Sequence, residues 1–151
     1  MIALLQRVHH ANVTVSGKLI ASIEEGLLVF IGIEKNDTVE QATHLLKRLL
    51  AYRIFSDEND KMNLSVKDID GGLLLVPQFT LAANTNKGLR PSFTSAASPD
   101  DGKILFEYLC NNAKQLHHTV STGLFGADMQ VSLTNNGPVT FWLQSPPEKQ
   151  G

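Results

Sequence analysis

Apolar and polar positions alternate loosely through residues 2–15. Val8, Val13 and Val15 favour extended backbone there, so the stretch is expected to be a strand. Ser16-Gly17 supplies a turn, and residues 18–23 predict a second strand. Leu27-Leu28-Val29-Phe30-Ile31-Gly32-Ile33 is a short run with no polar face, the pattern of a strand buried on both sides. The spacing then lengthens. Val39, Ala42, Leu45, Leu46, Leu49 and Leu50 recur at helical intervals to about residue 53, and Asp37 with Glu40 three positions on predicts the N-cap. Leu73-Leu74-Leu75-Val76 is a further buried strand. Ser98-Pro99-Asp100-Asp101 opens a second helix with proline at its favoured first position, and Ile104, Leu105, Tyr108, Leu109 and Ala113 are its expected apolar stripe. Met129 to Leu133 and Val139 to Leu143 alternate as two late strands.

Strand clusters with short spacers, two main helices and no regular βαβ alternation predict an α+β domain of largely antiparallel, barrel-like sheet. Nothing divides the chain, so residues 1–145 are expected to be a single domain, with a disordered tail at 146–151, Ser145-Pro146-Pro147 leading into polar residues. A composition 42% hydrophobic and 19% charged suits a packed globule rather than a disordered chain. Cys110 is the only cysteine, so no intrachain disulfide forms, in keeping with a reducing compartment. The apolar N-terminus lacks the leading basic segment of a signal peptide and no run reaches membrane-spanning length, so a cytoplasmic location without a membrane partner is expected. A net charge of −2 with no Lys/Arg run argues against gripping DNA or long RNA backbone, and leaves room for holding a short nucleic-acid end.

The chemistry is approached by elimination. The chain has no GxSxG elbow, Walker loop, dinucleotide fingerprint or HExxH. His9-His10 and His117-His118 are adjacent pairs, whose side chains diverge on a strand, and His44 stands alone, so no metal site is expected. Cys110 falls beside the second helix's apolar stripe and reads as a buried structural thiol. Asp57-Glu58-Asp60 reads as a solvated turn. Two segments remain. Pro77-Gln78-Phe79-Thr80-Leu81 ends a buried strand ahead of the polar loop at residues 84–93; it is either a plain strand end or a binding edge. Asn135-Asn136-Gly137-Pro138-Val139-Thr140 is either a hairpin turn or a cis Gly-Pro bond aiming carbonyls into a pocket.

Together these segments carry a resemblance. Met1 to Val8, Tyr52 to Asp57, Lys61 to Leu64, Gln78 to Ala83, Lys87 to Phe93 and Asn136 to Trp142 stand in the order and spacing of the D-aminoacyl-tRNA deacylase family, over nearly the whole chain. One position departs: the family's first motif normally begins with Ser, and here it begins with Pro77, which removes a hydroxyl and an N–H donor. The resemblance implies hydrolysis of the ester between a D-amino acid and the terminal ribose of tRNA, clearance of glycine from mischarged alanine tRNA, a homodimer, the tRNA acceptor end as partner, and neither metal nor cofactor. It implies a catalytic segment at Gln78, Phe79 and Thr80, with backbone N–H groups for the oxyanion. Thr80 is nucleophile or positioner, and the RNA 2′-hydroxyl is the alternative source of assistance. Gly137 and Pro138 become a chirality filter reaching into the other subunit, Arg7 its support, and Phe125 and Met129 candidates for an adenosine pocket. A non-catalytic RNA-end or protein-binding module, and a stand-alone esterase, remain as the competing functions.

Overall fold

A computed structural model describes residues 1–147. Strand β1 (Ile2–Val15) is the axis of the sheet. One edge of it pairs antiparallel with β3 (Gly26–Gly32) over Ile2 to Val8 and with β2 (Lys18–Ile23) over Ala11 to Val15. Its other partner is the last strand, β8 (Gln130–Gln144), which runs antiparallel from Ile2 to Thr14. The two late strands expected from the sequence are therefore one. No hairpin forms at residues 135–138, because both halves pair with the same neighbour, and β8 bulges between them instead.

Beyond β3 the sheet changes direction. β6 (Gly72–Pro77) is parallel to β3, and β7 (Val120–Thr122) is parallel to β6. Parallel neighbours need crossover connections. Helix α1 (Val39–Ala51) lies in the first crossover and α2 (Pro99–Leu116) in the second. The α+β, barrel-like expectation holds, but a βαβαβ run is present within it, hidden in the sequence by the small hairpin β4 (Phe55–Ser56) and β5 (Met62–Leu64) between α1 and β6. Ser121 Oγ donates to the Ser22 carbonyl at 3.3 Å, which brings β7 back to β2 and nearly closes the ring.

The unbroken apolar runs of β3 and β6 follow from this architecture. Leu27, Val29 and Ile31, with Leu73 and Leu75, face the helices and pack against Leu45, Leu46 and Leu49 of α1 and Leu109 of α2. Leu28, Leu74 and Val76 face inward with Val8, Val13 and Ile23. Strands buried on both faces lose the polar alternation. The α2 stripe is rotated from its expected position: Gly102, Leu105, Phe106, Leu109, Cys110 and Ala113 are buried while Ile104 points out. Burial pushes the Cys110 thiol up to about 12, as a structural cysteine requires. Among the described residues no helix is long and apolar enough to cross a membrane, and no cluster of His, Cys, Asp or Glu could hold a metal. Of the tail, residues 148–151 lie outside the described residues.

The α1 cap also shifts by one residue. Thr38, not Asp37, is the N-cap; Gln41 Oε1 accepts from Thr38 N at 2.7 Å, completing a capping box. Asp37 is drawn away to a stronger donor. Its fully buried carboxylate accepts from the Met1 ammonium at 2.9 Å and from Glu34 N at 2.7 Å. The same ammonium donates to Glu34 Oε2 at 2.8 Å and to the Ser145 carbonyl at 2.6 Å. Burial raises the Asp37 pKa, and the ammonium and the hydrogen bonds offset only part of that. Without Asp37 the Met1 ammonium keeps Glu34 and the Ser145 carbonyl, but Glu34 N loses its acceptor, at a cost of about 1–3 kcal/mol. Asp37→Ala is therefore expected to lower stability by roughly that amount in urea denaturation.

Candidate active site

Strand β6 ends where its parallel neighbour does. Pro77 pairs with Ile31, and Gln78 N donates to the Ile31 carbonyl at 2.7 Å. The chain then turns through a 3-10 segment, Phe79–Ala82, closed by Leu81 N to Gln78 O at 3.2 Å and Ala83 N to Thr80 O at 3.2 Å. Gly32 permits this. A Cβ there would lie 2.8 Å from Leu81 Cβ and 3.3 Å from the Gln78 carbonyl, so only glycine lets the turn rest on β3. Thr80 is thus in a turn rather than at a strand end. Its Oγ1 accepts from Gln78 Nε2, and it is exposed. The first two N–H groups of the turn, Phe79 and Thr80, have no acceptor among the described residues, as at the start of any helical turn. The Phe79 ring is 61% exposed and tilts against Phe93 with centroids 5.3 Å apart.

Beside this turn lies a cavity of about 450 Å³. One wall is Val76, Pro77, Gln78 and Phe79. The facing wall is Phe125, Met129 and Val131, and the start of α2 supplies Ser98, Pro99 and Gly102. Four of the residues expected from the sequence, Gln78, Phe79, Phe125 and Met129, therefore meet in one cavity. Thr80 does not line it. The α2 residues were legible only as a helix cap. The available signal was Gly102, a glycine inside a helix, which usually marks close approach; a Cβ there would meet Phe125 Cζ at 3.3 Å. No lining side chain titrates near neutrality, so the cavity offers no side-chain acid or base.

The histidines are placed elsewhere. His117 caps α2 and is buried, with Nε2 2.6 Å from the Gly71 carbonyl, and His118 is exposed 3.6 Å from Asp70. His44 Nδ1 meets Ser145 Oγ at 2.9 Å, and His10 Nε2 meets Thr134 Oγ1 at 3.0 Å.

Gly137, Pro138 and Arg7 form a second constellation, outside the cavity. Gln6 pairs with Thr140 and Val8 with Asn135, so residues 136–139 bulge opposite Arg7 alone. The Gly137-Pro138 bond is cis, and both residues are exposed. Arg7 Nε donates to the Asn136 carbonyl at 3.1 Å, and Nη1 to the Ile54 carbonyl at 2.9 Å. Asn135 Oδ1 accepts from Val139 N at 3.1 Å. Gly137 has φ +132°, and a Cβ there would lie 2.7 Å from Val139 Cγ2 and 3.1 Å from Arg7 Nη2. Gly137→Ala is therefore expected to destabilise the fold by about 1–3 kcal/mol in urea denaturation and to displace the Arg7 guanidinium.

The family model described as D-Tyr-tRNA(Tyr) deacylase matches residues 4–144. A D-aminoacyl-tRNA deacylase of Nitrosococcus oceani is 59% identical over 150 residues, covering 99% of this chain and 97% of its own. One from Janthinobacterium sp. is 58% identical over 147 residues, covering 97% and 99%. Among solved structures, a c-Myc DNA Unwinding Element Binding Protein superposes with a TM-score of 0.93 at 36% identity, covering 97% of this chain and 99% of its own. A probable eukaryotic D-amino acid tRNA deacylase reaches 0.84 at 18% identity, covering 95% and 98%, a likeness of fold alone.

Proposed function

The chain belongs to the D-Tyr-tRNA(Tyr) deacylase family, and we propose that its cavity receives the aminoacylated 3′ end of tRNA, where the Gln78 to Thr80 turn presides over hydrolysis of the ester. The chain is a D-aminoacyl-tRNA deacylase, a hydrolase acting on ester bonds. The observation that carries the site assignment is a mostly apolar cavity without a titratable side chain, bordered by a turn whose first two N–H groups are unengaged.

That arrangement suits this chemistry. An aminoacyl ester is already activated, so a strong protein nucleophile is not required. Donors aimed at the developing oxyanion, and a water held against the carbonyl, supply the acceleration. The N–H groups of Phe79 and Thr80 take the oxyanion. Gln78 holds the Thr80 hydroxyl, and Thr80 positions the substrate while the ribose 2′-hydroxyl assists the attack. Phe125 and Met129 flank the terminal adenosine.

Chirality is read by exclusion. In a homodimer, the exposed Gly137-Pro138 bulge of one subunit enters the cavity of the other. Its carbonyls press on the α-carbon where an L side chain would project, and glycine, lacking one, is also cleared, including from mischarged alanine tRNA. Proofreading of this kind places the enzyme in the cytoplasm with the translation machinery. The name of the solved relative points to DNA instead, but thirteen basic against fifteen acidic side chains leave no net positive charge for a duplex backbone.

The test is deacylation of D-tyrosyl-tRNA by chelator-treated protein, with the L-ester largely spared; no turnover of any D-aminoacyl ester would sink the reading. Tight binding of charged tRNA without hydrolysis would favour a binding module, and equal activity on small esters lacking ribose a plain esterase. Within the reaction, Thr80→Ala is expected to lose no more than about 10²-fold in rate, the scale of lost positioning. A substrate with 2′-deoxyribose at its end is expected to lose about 10²–10⁴-fold, the scale of an acid–base group. Single-turnover rates decide between them.

A further inference from the structure

Two stretches of the chain, Tyr52 to Asp57 and Lys61 to Leu64, have no part in the cavity. The fold gives them a common place. They are the two arms of the β4–β5 hairpin, in which Phe55 pairs with Leu64 and Ser56 with Met62. We propose that this hairpin is the positioning element of the Gly137-Pro138 bulge, with Asp57 and Asn63 as its positioning residues. The inference rests on the reading of that bulge as the chirality filter.

The connection is short and continuous. Asp57 gathers the hairpin end: Oδ1 accepts from Asn59 N at 2.9 Å and Lys61 N at 3.0 Å, and Oδ2 from Asn63 Nδ2 at 2.8 Å. Asp57 N donates in turn to the Lys61 carbonyl at 2.8 Å. These bonds hold the Asp57 carboxyl below its ordinary pKa, the Asn63 amide contributing most. At the base of the hairpin, Ile54 N donates to the Leu64 carbonyl at 2.9 Å, which fixes the Ile54 peptide. Ile54 and Phe55 are buried, at 1% and 3% exposure, so the peptide is clamped by packing as well. The Ile54 carbonyl then accepts from Arg7 Nη1, and Arg7 Nε reaches Asn136.

Arg7 therefore spans two backbone carbonyls that no strand ladder joins. A guanidinium is planar, with its donors in a fixed fork. Anchoring one donor on Ile54 fixes the direction of the other, and with it the Asn136 peptide that leads into Gly137. Without the anchor Arg7 keeps its charge and its bond to Asn136 but can swing, and the bulge swings with it. A filter that works by steric exclusion loses its discrimination when its wall moves, whereas the reaction at the Phe79–Thr80 turn does not pass through the hairpin. Selectivity is the quantity this element controls.

Asp57→Ala should leave D-tyrosyl-tRNA turnover within about twofold of the parent and raise L-tyrosyl-tRNA turnover, so that the D/L ratio falls by about tenfold, equivalent to about 1.4 kcal/mol of discrimination. Asp57→Asn keeps an acceptor for the two backbone amides and should recover most of the ratio. If Asp57→Ala does not fold, Asn63→Ala, which removes one donor to Asp57, carries the same readout with a smaller drop. An unchanged D/L ratio in the folded variant overturns the inference. A readout independent of substrate is amide exchange at Val139, whose N–H is held by Asn135 within the bulge. It should quicken in Asp57→Ala while the β6 amides stay protected, and equal exchange in both proteins overturns the inference as well. If neither protein hydrolyses a D-ester yet Val139 exchange quickens, the mechanical link stands and the deacylase reading fails.

Discussion

Arg7 of β1 faces four residues of β8, and the geometry of the Gly137-Pro138 bulge depends on that mismatch. On both sides of it the ladder is regular, from Ile2 to Gln6 and from His10 to Thr14. Between them residues 136–139 leave the sheet, and their backbone polar groups need other partners. Arg7 Nε takes the Asn136 carbonyl, Asn135 Oδ1 takes Val139 N, and Pro138 has no N–H to satisfy. The bulge is thus defined by side-chain bonds rather than by ladder bonds. Gly137 and Pro138 are exposed while these bonds hold the two ends of the segment.

The cavity sits across the sheet's other special feature, the parallel half. Because β3 and β6 run the same way, they end together, and the chain leaving β6 turns over Gly32 of β3. The ends of parallel strands are where backbone N–H groups become free and where the following helix can contribute its first turn. Both happen here: the Phe79–Ala82 turn presents its N–H groups, and α2 brings Ser98 and Gly102 to the wall. The antiparallel half supplies the bulge and, through Val131 of β8, part of the cavity wall, while the parallel half supplies the turn that borders it. A sheet of either kind alone would lack one of them.

Much of this was legible in the sequence, and the divide between what was and was not is physical. β3 and β6 were readable because burial on both faces removes every polar residue from Leu27 to Ile31 and from Leu73 to Val76. The α2 cap was readable because Ser98-Pro99 acts locally. The α1 cap was misplaced by one residue because Asp37 serves the Met1 ammonium, far away in sequence. The two late strands were misjudged for the same reason: Asn-Gly-Pro has the local chemistry of a turn, and only pairing of both flanks with β1 makes it a bulge. Parallel pairing has no local signature. Gln78, Phe79, Phe125 and Met129 line one cavity, whereas the contribution of α2 to it depends on a crossover that periodicity does not encode.

The cavity's lack of ionisable side chains constrains how selectivity can arise. On the proposed reading of the Gly137-Pro138 bulge as the chirality filter, no charged side chain of the cavity anchors the substrate's amine, and a D ester is told from an L ester by the direction in which the side chain leaves the α-carbon, a steric contact. Apolar fit distinguishes poorly, a methylene being worth about 1–3 kcal/mol. A polar backbone wall does better, because an intruding side chain both collides with it and buries its carbonyls without partners. Such a wall must be stiffer than the displacement it has to resist, and main chain pinned by a planar guanidinium meets that need where a flexible side chain would not. On this reasoning Gly137 is required twice. Its φ of +132° lets the bulge form, and the absence of a Cβ lets Arg7 Nη2 lie close against the segment it holds.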